Sequence, residues 1–160
     1  MQILDYATTT SATQTKQIAS RLAKEISRIS ANRARVIALS GNLGAGKTTF
    51  IQGFARALGI KAPIQSPTFV LMKIYALTKK HIKHLVHIDA YRIEKAQELE
   101  HLGLHDILND KDAIVLIEWA DRVEKILPND AIWVRFEHGK NVHERIIKIR
   151  KHKLFFERKL

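Results

Sequence analysis

Hydrophobic residues in the first third of the chain alternate between helical and strand-like spacing. Four aliphatic residues recur at helical spacing: Ile18, Leu22, Ile26 and Ile29. The Thr/Ser-rich stretch 8–13 precedes them and offers N-cap residues, so this segment predicts an amphipathic helix. The short apolar run 36–39 is typical of a strand buried on both faces. Residues 47–58 then carry a second apolar stripe at helical spacing, and Gly59 is a suitable stop.

The middle of the chain contains mainly strand-like runs. Apolar and β-branched residues dominate 68–75, 82–88 and 113–117, and each run predicts a strand. One short helical stretch is predicted around 96–102. Strands and helices that alternate in this way indicate a parallel sheet with helical crossovers.

The last part of the chain has a different pattern. Ile132, Val134 and Phe136 alternate with other residues, 138–141 can form a turn, and 144–150 is again strand-like. These features predict an antiparallel hairpin. The predicted fold class is therefore α/β, in three layers, with a mostly parallel central sheet and an added C-terminal antiparallel hairpin.

Composition narrows the class of protein. The 160 residues contain no cysteine, which excludes a disulfide framework and a thiolate metal site. No apolar run approaches the roughly 20 residues of a membrane-spanning helix. The N-terminus lacks the basic and apolar parts of a signal peptide, so we expect a cytoplasmic protein. We expect one domain over 1–150 and a basic tail over 151–160.

The charge balance leaves two interpretations open. The net charge of +11 and the isoelectric point near 10.0 favour nucleic acid or another polyanionic partner. A general bias of the proteome toward basic residues would produce the same balance. The C-terminal segment 148–160 adds six cations against one acid, and it is either a contact for nucleic acid or a solvated face.

The strongest chemical signal lies between the second predicted strand and helix. Nine residues match G-x-x-x-x-G-K-[ST] followed by threonine: Gly41, Asn42, Leu43, Gly44, Ala45, Gly46, Lys47, Thr48 and Thr49. The glycines let backbone N–H groups approach phosphates, and the helix turns its positive end toward them. The Lys47 ammonium can reach the β- and γ-phosphates, and the Thr48 hydroxyl can ligate Mg²⁺. The motif predicts a P-loop that binds a nucleoside triphosphate with Mg²⁺.

A P-loop needs an acid opposite its threonine to complete the magnesium site. Glu118 and Asp89 each follow a buried apolar run, so both are candidates. The run before Glu118 is more uniformly apolar, which indicates a more central strand and slightly favours this residue. Either acid could also be an exposed residue at a strand end. The residues alone do not decide between the two acids.

Five motifs in register resemble the TsaE family, formerly YjeE, of bacterial ATPases in tRNA threonylcarbamoyladenosine biosynthesis. They are the P-loop, Ser66-Pro67-Thr68-Phe69, His87-Ile88-Asp89-Ala90-Tyr91-Arg92, the segment from Glu98 to Leu102-Gly103-Leu104, and Ile117-Glu118-Trp119. The resemblance covers about residues 10–136. No single one of these motifs is specific to the family, but all five in this order are.

The resemblance implies a role for several residues. Lys47 and Thr48 contact phosphate and Mg²⁺, and Glu118 is the second magnesium ligand. Asp89 is essential for activity, near the γ-phosphate or its attacking water. The bound nucleotide is ATP, and further contacts are implied for Ser11, Thr15, Ser66, Thr68 and Trp119. The family works with TsaD and TsaB, which transfer the threonylcarbamoyl group to the adenosine next to the anticodon in tRNA.

The chain departs from the family pattern at one position. Asn42 stands where the family usually has an acid, which puts an ionic role of this position in doubt.

Two other functions compete with the one that the resemblance implies. A small-molecule kinase would share the P-loop, but the segment after Gly103 is short and acidic and carries no arginine-bearing lid. A GTPase switch is disfavoured because no Asn-Lys-x-Asp motif occurs in the chain.

Overall fold

A seven-stranded mixed sheet runs through the centre of the computed structural model, which describes residues 4–67 and 69–151. The strands are β1 Leu4–Thr9, β2 Arg35–Gly41, β3 Met72–Lys79, β4 Ile82–Asp89, β5 Ala113–Glu118, β6 Ile132–His138 and β7 Arg145–Lys151. Their order in the sheet is β1-β7-β6-β2-β5-β4-β3. The four inner strands β6, β2, β5 and β4 are parallel to one another, whereas the pairs β1–β7, β7–β6 and β4–β3 are antiparallel.

Helices connect the strands on both faces of this sheet. They are α1 Ala12–Arg28, α2 Lys47–Ala57, α3 Gln97–His101, α4 Leu104–Asn109 and a 3₁₀ segment, Ala120–Ile126. Helix α1 begins where the Ser11 hydroxyl accepts the N–H of Gln14 at 3.2 Å. The Gln14 side chain in turn accepts the N–H of Thr10 at 2.7 Å, so two backbone donors at the helix start are satisfied.

The alternation of side chains along the inner strands divides the core into two layers. Ile37, Leu39, Leu116 and Phe136 face α1 and α2, where Phe50 and Phe54 pack against them. The intervening residues of the same strands face α3, α4 and the 3₁₀ segment. Because side chains alternate with a period of two, a polar residue at the end of a strand lies on the same face of the sheet as the apolar residues two and four positions before it.

The predicted fold class is confirmed, since the sheet is mostly parallel at its centre and has helices on both faces. The predicted hairpin is β6–β7, and β6 also pairs in parallel with β2 and so belongs to the central sheet. The structure contains an additional edge strand, β1, that sequence analysis missed. An edge strand needs a partner on one side alone, so its sequence carries little apolar signal.

One strand boundary was predicted wrongly. The run 68–75 was expected to form a strand, but β3 begins at Met72. Leu71 has a left-handed backbone with φ of 62°, and its N–H donates to Pro67 O at 2.7 Å, so the chain turns before the strand begins. Thr68 itself lies outside the described residues, as does the predicted tail beyond Lys151. In the described ranges, no helix is long and apolar enough to cross a membrane.

Candidate nucleotide-binding site

The P-loop joins the end of β2 to the start of α2. Gly41 has φ of 136°, and a Cβ there would collide with the carbonyl oxygen of Phe136 on the neighbouring strand β6. Gly46, the residue before α2, has φ of 105°, a conformation that other residues rarely adopt. These glycines are therefore required by the backbone path. Among the described residues no side chain caps the start of α2, and backbone N–H groups at a helix start are donors suited to phosphate.

Lys47 lies at the centre of this loop and is 5% exposed. Its ammonium donates to the carbonyl oxygens of Gly41 at 2.5 Å and Asn42 at 2.9 Å. It also lies 3.9 Å from the centroid of the Trp119 ring. Burial lowers the pKa of Lys47 below its ordinary value, while nearby carboxylates, Glu118 first, oppose that shift. A bound phosphate would act in the same direction as these carboxylates and stabilise the charged form.

Glu118, the last residue of β5, joins the P-loop helix to the core of the sheet. Its Oε2 accepts the hydroxyl of Thr48 at 3.0 Å. Its Oε1 lies 2.9 Å from Nε2 of His87, a fully buried residue of β4. A carboxylate accepts hydrogen bonds, so Nε2 of His87 is the donor and its other ring nitrogen is unprotonated in the neutral ring. Both oxygens of Glu118 are thereby oriented.

Asp89, the last residue of β4, makes hydrogen bonds to loop residues. Its Oδ2 accepts the hydroxyl of Ser66 in a short hydrogen bond, and its Oδ1 accepts the N–H of Tyr91 at 2.9 Å. Its own N–H donates to Leu71 O at 2.9 Å. Asp89 therefore connects the end of the sheet to the loop that leads from α2 into β3.

The sheet brings these two acids together. Strands β4 and β5 are parallel, and their register pairs Asp89 directly with Glu118. Leu85 and Leu116 precede them with a period of two and belong to the layer that faces α2. Both acids therefore point toward α2, beyond the carboxyl ends of the strands, where parallel sheets commonly bind ligands.

The oxygen atoms of Thr48 and Glu118 suit a magnesium ion. Mg²⁺ prefers oxygen ligands and is usually held in nucleotide sites by one or two protein groups, with phosphates and water completing the shell. A hydroxyl and a carboxylate 3.0 Å apart beside the P-loop form such a pair. No cluster of three or more His, Cys, Asp or Glu suited to a metal occurs within the described ranges. A P-loop magnesium site does not require such a cluster.

Most of the residues named from the sequence line one pocket of about 250 Å³. Its lining comprises Leu43, Gly44, Gly46, Lys47, Thr48, Thr49, Ser66, Asp89, Glu118 and Trp119. Gly41 and Asn42 contribute backbone carbonyls to Lys47, and Ala45 is buried.

Ser11 and Thr15 do not belong to the described lining of this pocket. Ser11 caps α1, and the Thr15 hydroxyl lies 3.0 Å from that of Thr9 in the interior. Contact of either residue with the nucleotide stays a prediction. Thr68 lies outside the described residues.

Sequence analysis did not place His87 in the site. Its ring is fully buried and contacts Glu118, yet the sequence analysis named it only as part of a family motif and predicted no role for it. One signal could have found it. In the run 85–88 it is the sole polar residue, and it lies two positions before Asp89, so it shares the face of that acid.

Comparison with known proteins identifies the family. The family model described as threonylcarbamoyl adenosine biosynthesis protein TsaE matches residues 9–147. The chain belongs to the TsaE family. The tRNA threonylcarbamoyladenosine biosynthesis protein TsaE of Haemophilus influenzae is 35% identical over 118 residues, which are 74% of this chain and 72% of that protein. The protein of the same name from Bacillus subtilis is 40% identical over 114 residues, 69% of this chain and 68% of that protein.

A solved structure agrees with this TsaE assignment. The crystal structure of YdiB from Bacillus subtilis superposes with a TM-score of 0.73 at 30% sequence identity. The superposition covers 96% of this chain and 88% of that one. The resemblance inferred from the motifs is therefore confirmed. The match to the TsaE family model contains every described residue of the pocket.

Proposed function

We propose that this TsaE-family chain is a magnesium-dependent ATPase required for threonylcarbamoyl modification of the adenosine next to the anticodon in tRNA, acting with TsaD and TsaB. The observation that carries the proposal is the convergence of three parts in one pocket. Lys47 lies in the P-loop, Thr48 pairs with Glu118, and Ser66 pairs with Asp89. The relatives named for this pathway supply the biological context.

The P-loop side of the pocket binds the nucleotide. Lys47 and the N–H groups at the start of α2 hold the phosphates, while Thr48 and Glu118 hold Mg²⁺. The metal neutralises charge on the phosphate oxygens when it is bound. His87 keeps Glu118 turned toward Thr48 through its hydrogen bond to Oε1. ATP is the nucleotide because the chain carries no guanine-reading motif.

Asp89 serves hydrolysis. It lies at the end of β4 beside the magnesium pair, where a carboxylate can accept a hydrogen bond from the attacking water and orient it. Its bond to the Ser66 hydroxyl gives the loop 60–67 a direct connection to the reacting phosphate. The loop responds to the γ-phosphate in the manner of a switch segment.

Hydrolysis by the chain alone is slow. Among the described residues along the pocket, Lys47 is the one cation, whereas fast phosphoryl transfer commonly uses an additional arginine. Arg92 lies 4.9 Å from the ring of Phe69, so its guanidinium is directed to the loop. Phe69 and Val70 are exposed beside that loop, and TsaD with TsaB cover this surface and order the site.

The test is the ATPase rate of the purified chain, alone and with TsaD and TsaB. We expect slow turnover alone and a clear rise with the partners. Lys47→Ala and Asp89→Asn should abolish the rise with circular dichroism unchanged, and Lys80→Ala on the β3–β4 turn should retain it.

Two results would contradict the proposal. One is turnover by the chain alone near about 10 s⁻¹, a typical enzyme rate, with no effect of the partners. A self-contained kinase with an unidentified acceptor would then be the better interpretation. The other is ATP hydrolysis that persists in Lys47→Ala.

A further inference from the structure

A second, larger concavity lies between the two helices on the α2 face of the sheet. This α1–α2 groove has a volume of about 850 Å³ and is lined by α1 between Thr13 and Lys24, by α2 between Gln52 and Ala57, and by the loop 60–65. Its lining shares no residue with the nucleotide pocket. The helices meet closely because Gly53 has no side chain, since a Cβ there would lie 2.5 Å from the Cα of Lys16. The groove is therefore built into the helix packing.

The α1–α2 groove carries positive charge without compensating acids. Four cations line it, from both helices and the loop: Lys16, Lys24, Arg56 and Lys61. All four are exposed, and no aspartate or glutamate belongs to the described lining. Ion pairs within the described ranges involve other residues. These charges are available to an anionic partner.

The spacing of the cations indicates an extended polyanion instead of a single phosphate. Lys16 and Lys24 lie eight residues apart on α1, so their attachment points are separated by about 12 Å at a rise of about 1.5 Å per residue. Arg56 and Lys61 line the groove from the opposite side. No aromatic ring belongs to the described lining, so base stacking is not the binding mode. Several separated cations without stacking platforms suit the phosphate backbone of a structured nucleic acid.

We propose that the α1–α2 groove binds the phosphate backbone of structured RNA, with tRNA as the occupant. The choice of tRNA rests on the proposed function, and the charge complementarity rests on the groove alone. The net charge of +11 favours the same class of partner. The loop 60–65 forms one wall of the groove and continues directly into Ser66, the hydrogen-bond partner of Asp89. RNA in the groove thus contacts the segment that reaches the nucleotide pocket.

The experiment compares two charge-matched double variants of the full-length protein. Lys24→Gln with Arg56→Gln removes two of the four cations of the groove, and Lys80→Gln with Lys83→Gln removes the same charge from the β3–β4 hairpin. Binding of an unmodified tRNA transcript is measured by fluorescence anisotropy between about 50 and 200 mM KCl. ATP affinity and thermal unfolding are measured for both variants and should equal those of the unmodified protein.

The groove variant should bind tRNA about tenfold more weakly, and its log–log salt slope should fall by about 1.5 because two phosphate contacts are lost. The hairpin variant should change affinity less than about twofold. Equal losses in both variants, or no loss in the groove variant, would overturn the inference. A groove variant that keeps tRNA affinity but loses stimulation by TsaD and TsaB would assign the groove to a protein partner, which also overturns it.

This result is separable from the test of the proposed function. Groove-dependent tRNA binding without stimulation of ATP hydrolysis by TsaD and TsaB would support the RNA site and contradict the proposed function. If TsaD and TsaB stimulate ATP hydrolysis but tRNA binding does not depend on the groove, the proposed function is supported and the RNA site is contradicted.

Discussion

The ends of β4 and β5 present the same residue class in the same place and yet differ in their surroundings. Asp89 and Glu118 are direct register partners, both are 3% exposed, and both point toward α2. Glu118 contacts regular elements on both sides, through Thr48 in α2 and His87 in β4. Asp89 contacts Ser66 and the N–H of Tyr91, both of which lie in loops.

Acids at the same end of a parallel sheet can suit two different functions. A carboxylate held between a helix and a strand keeps a constant position, which suits a magnesium ligand. A carboxylate bonded to loops can change its partners when the loops move, which suits a group that senses or serves hydrolysis. The two proposed roles therefore differ in the contacts that each acid makes beyond its own strand, and not in the position of the acid on the strand.

The largest expected effect comes from Asp89→Asn. If Asp89 serves hydrolysis, partner-stimulated turnover should fall by about 10²- to 10⁴-fold, the usual contribution of a positioned acid or base. ATP affinity should change little, because the P-loop side remains intact. Single-turnover hydrolysis and nucleotide titration on the same preparation measure both quantities. A loss of ATP affinity equal to the loss of rate would remove the distinction between the two acids.

A second variant, Glu118→Gln, addresses the other side of the comparison. The amide lacks the charge that favours Mg²⁺, so the magnesium concentration for half-maximal ATP binding should rise about 10- to 100-fold. ATP binding in the absence of magnesium should stay near that of the unmodified chain. Titration of MgCl₂ at constant ATP checks this. An unchanged magnesium dependence would assign the metal to Asp89 instead.

Ser66→Ala tests the loop connection of Asp89. Hydrogen bonds to charged groups contribute about 1.5–3 kcal/mol, so loss of this hydroxyl should reduce stimulated turnover by about tenfold or more if the bond persists during hydrolysis. Magnesium dependence should not change, since the Thr48–Glu118 pair is untouched. Thr78→Ala on β3 is the control, because its side chain is exposed and lies outside the pocket lining. Activity equal to the control would exclude a role for this bond.

The smallest expected effect is that of His87→Gln. The amide can still donate to Glu118, so the change weakens this hydrogen bond by about 1 kcal/mol without removing it, and the magnesium midpoint should shift about fivefold. The free energy of unfolding, measured in urea, should decrease by a similar amount. His84→Gln, at a partly exposed position of the same strand, should leave the magnesium midpoint unchanged. A shift in turnover without a shift in the magnesium midpoint would connect His87 to Asp89 instead of Glu118.

Local patterns were sufficient for the P-loop and for most of the elements. Its nine residues are consecutive, and the requirement for glycine comes from the backbone itself, so motif and context predicted the loop between β2 and α2. The expectation that Glu118 ends a more central strand than Asp89 also agrees with the sheet, where β5 lies between β2 and β4. By contrast, the predicted start of β3 was wrong, because the turn at Leu71 depends on its hydrogen bond to Pro67.

The fold class, the P-loop and the two candidate acids could be predicted from the amino-acid sequence, because apolar periodicity and consecutive motif residues act over short distances along the chain. Which side chains contact one another became known only from the three-dimensional fold. The register of β4 and β5 aligns Asp89 with Glu118, and the alternation of β4 brings His87 to the same carboxylate. The packing of α1 on α2 at Gly53 creates the basic groove. Such contacts depend on strand order and helix packing between distant segments, which no local pattern encodes.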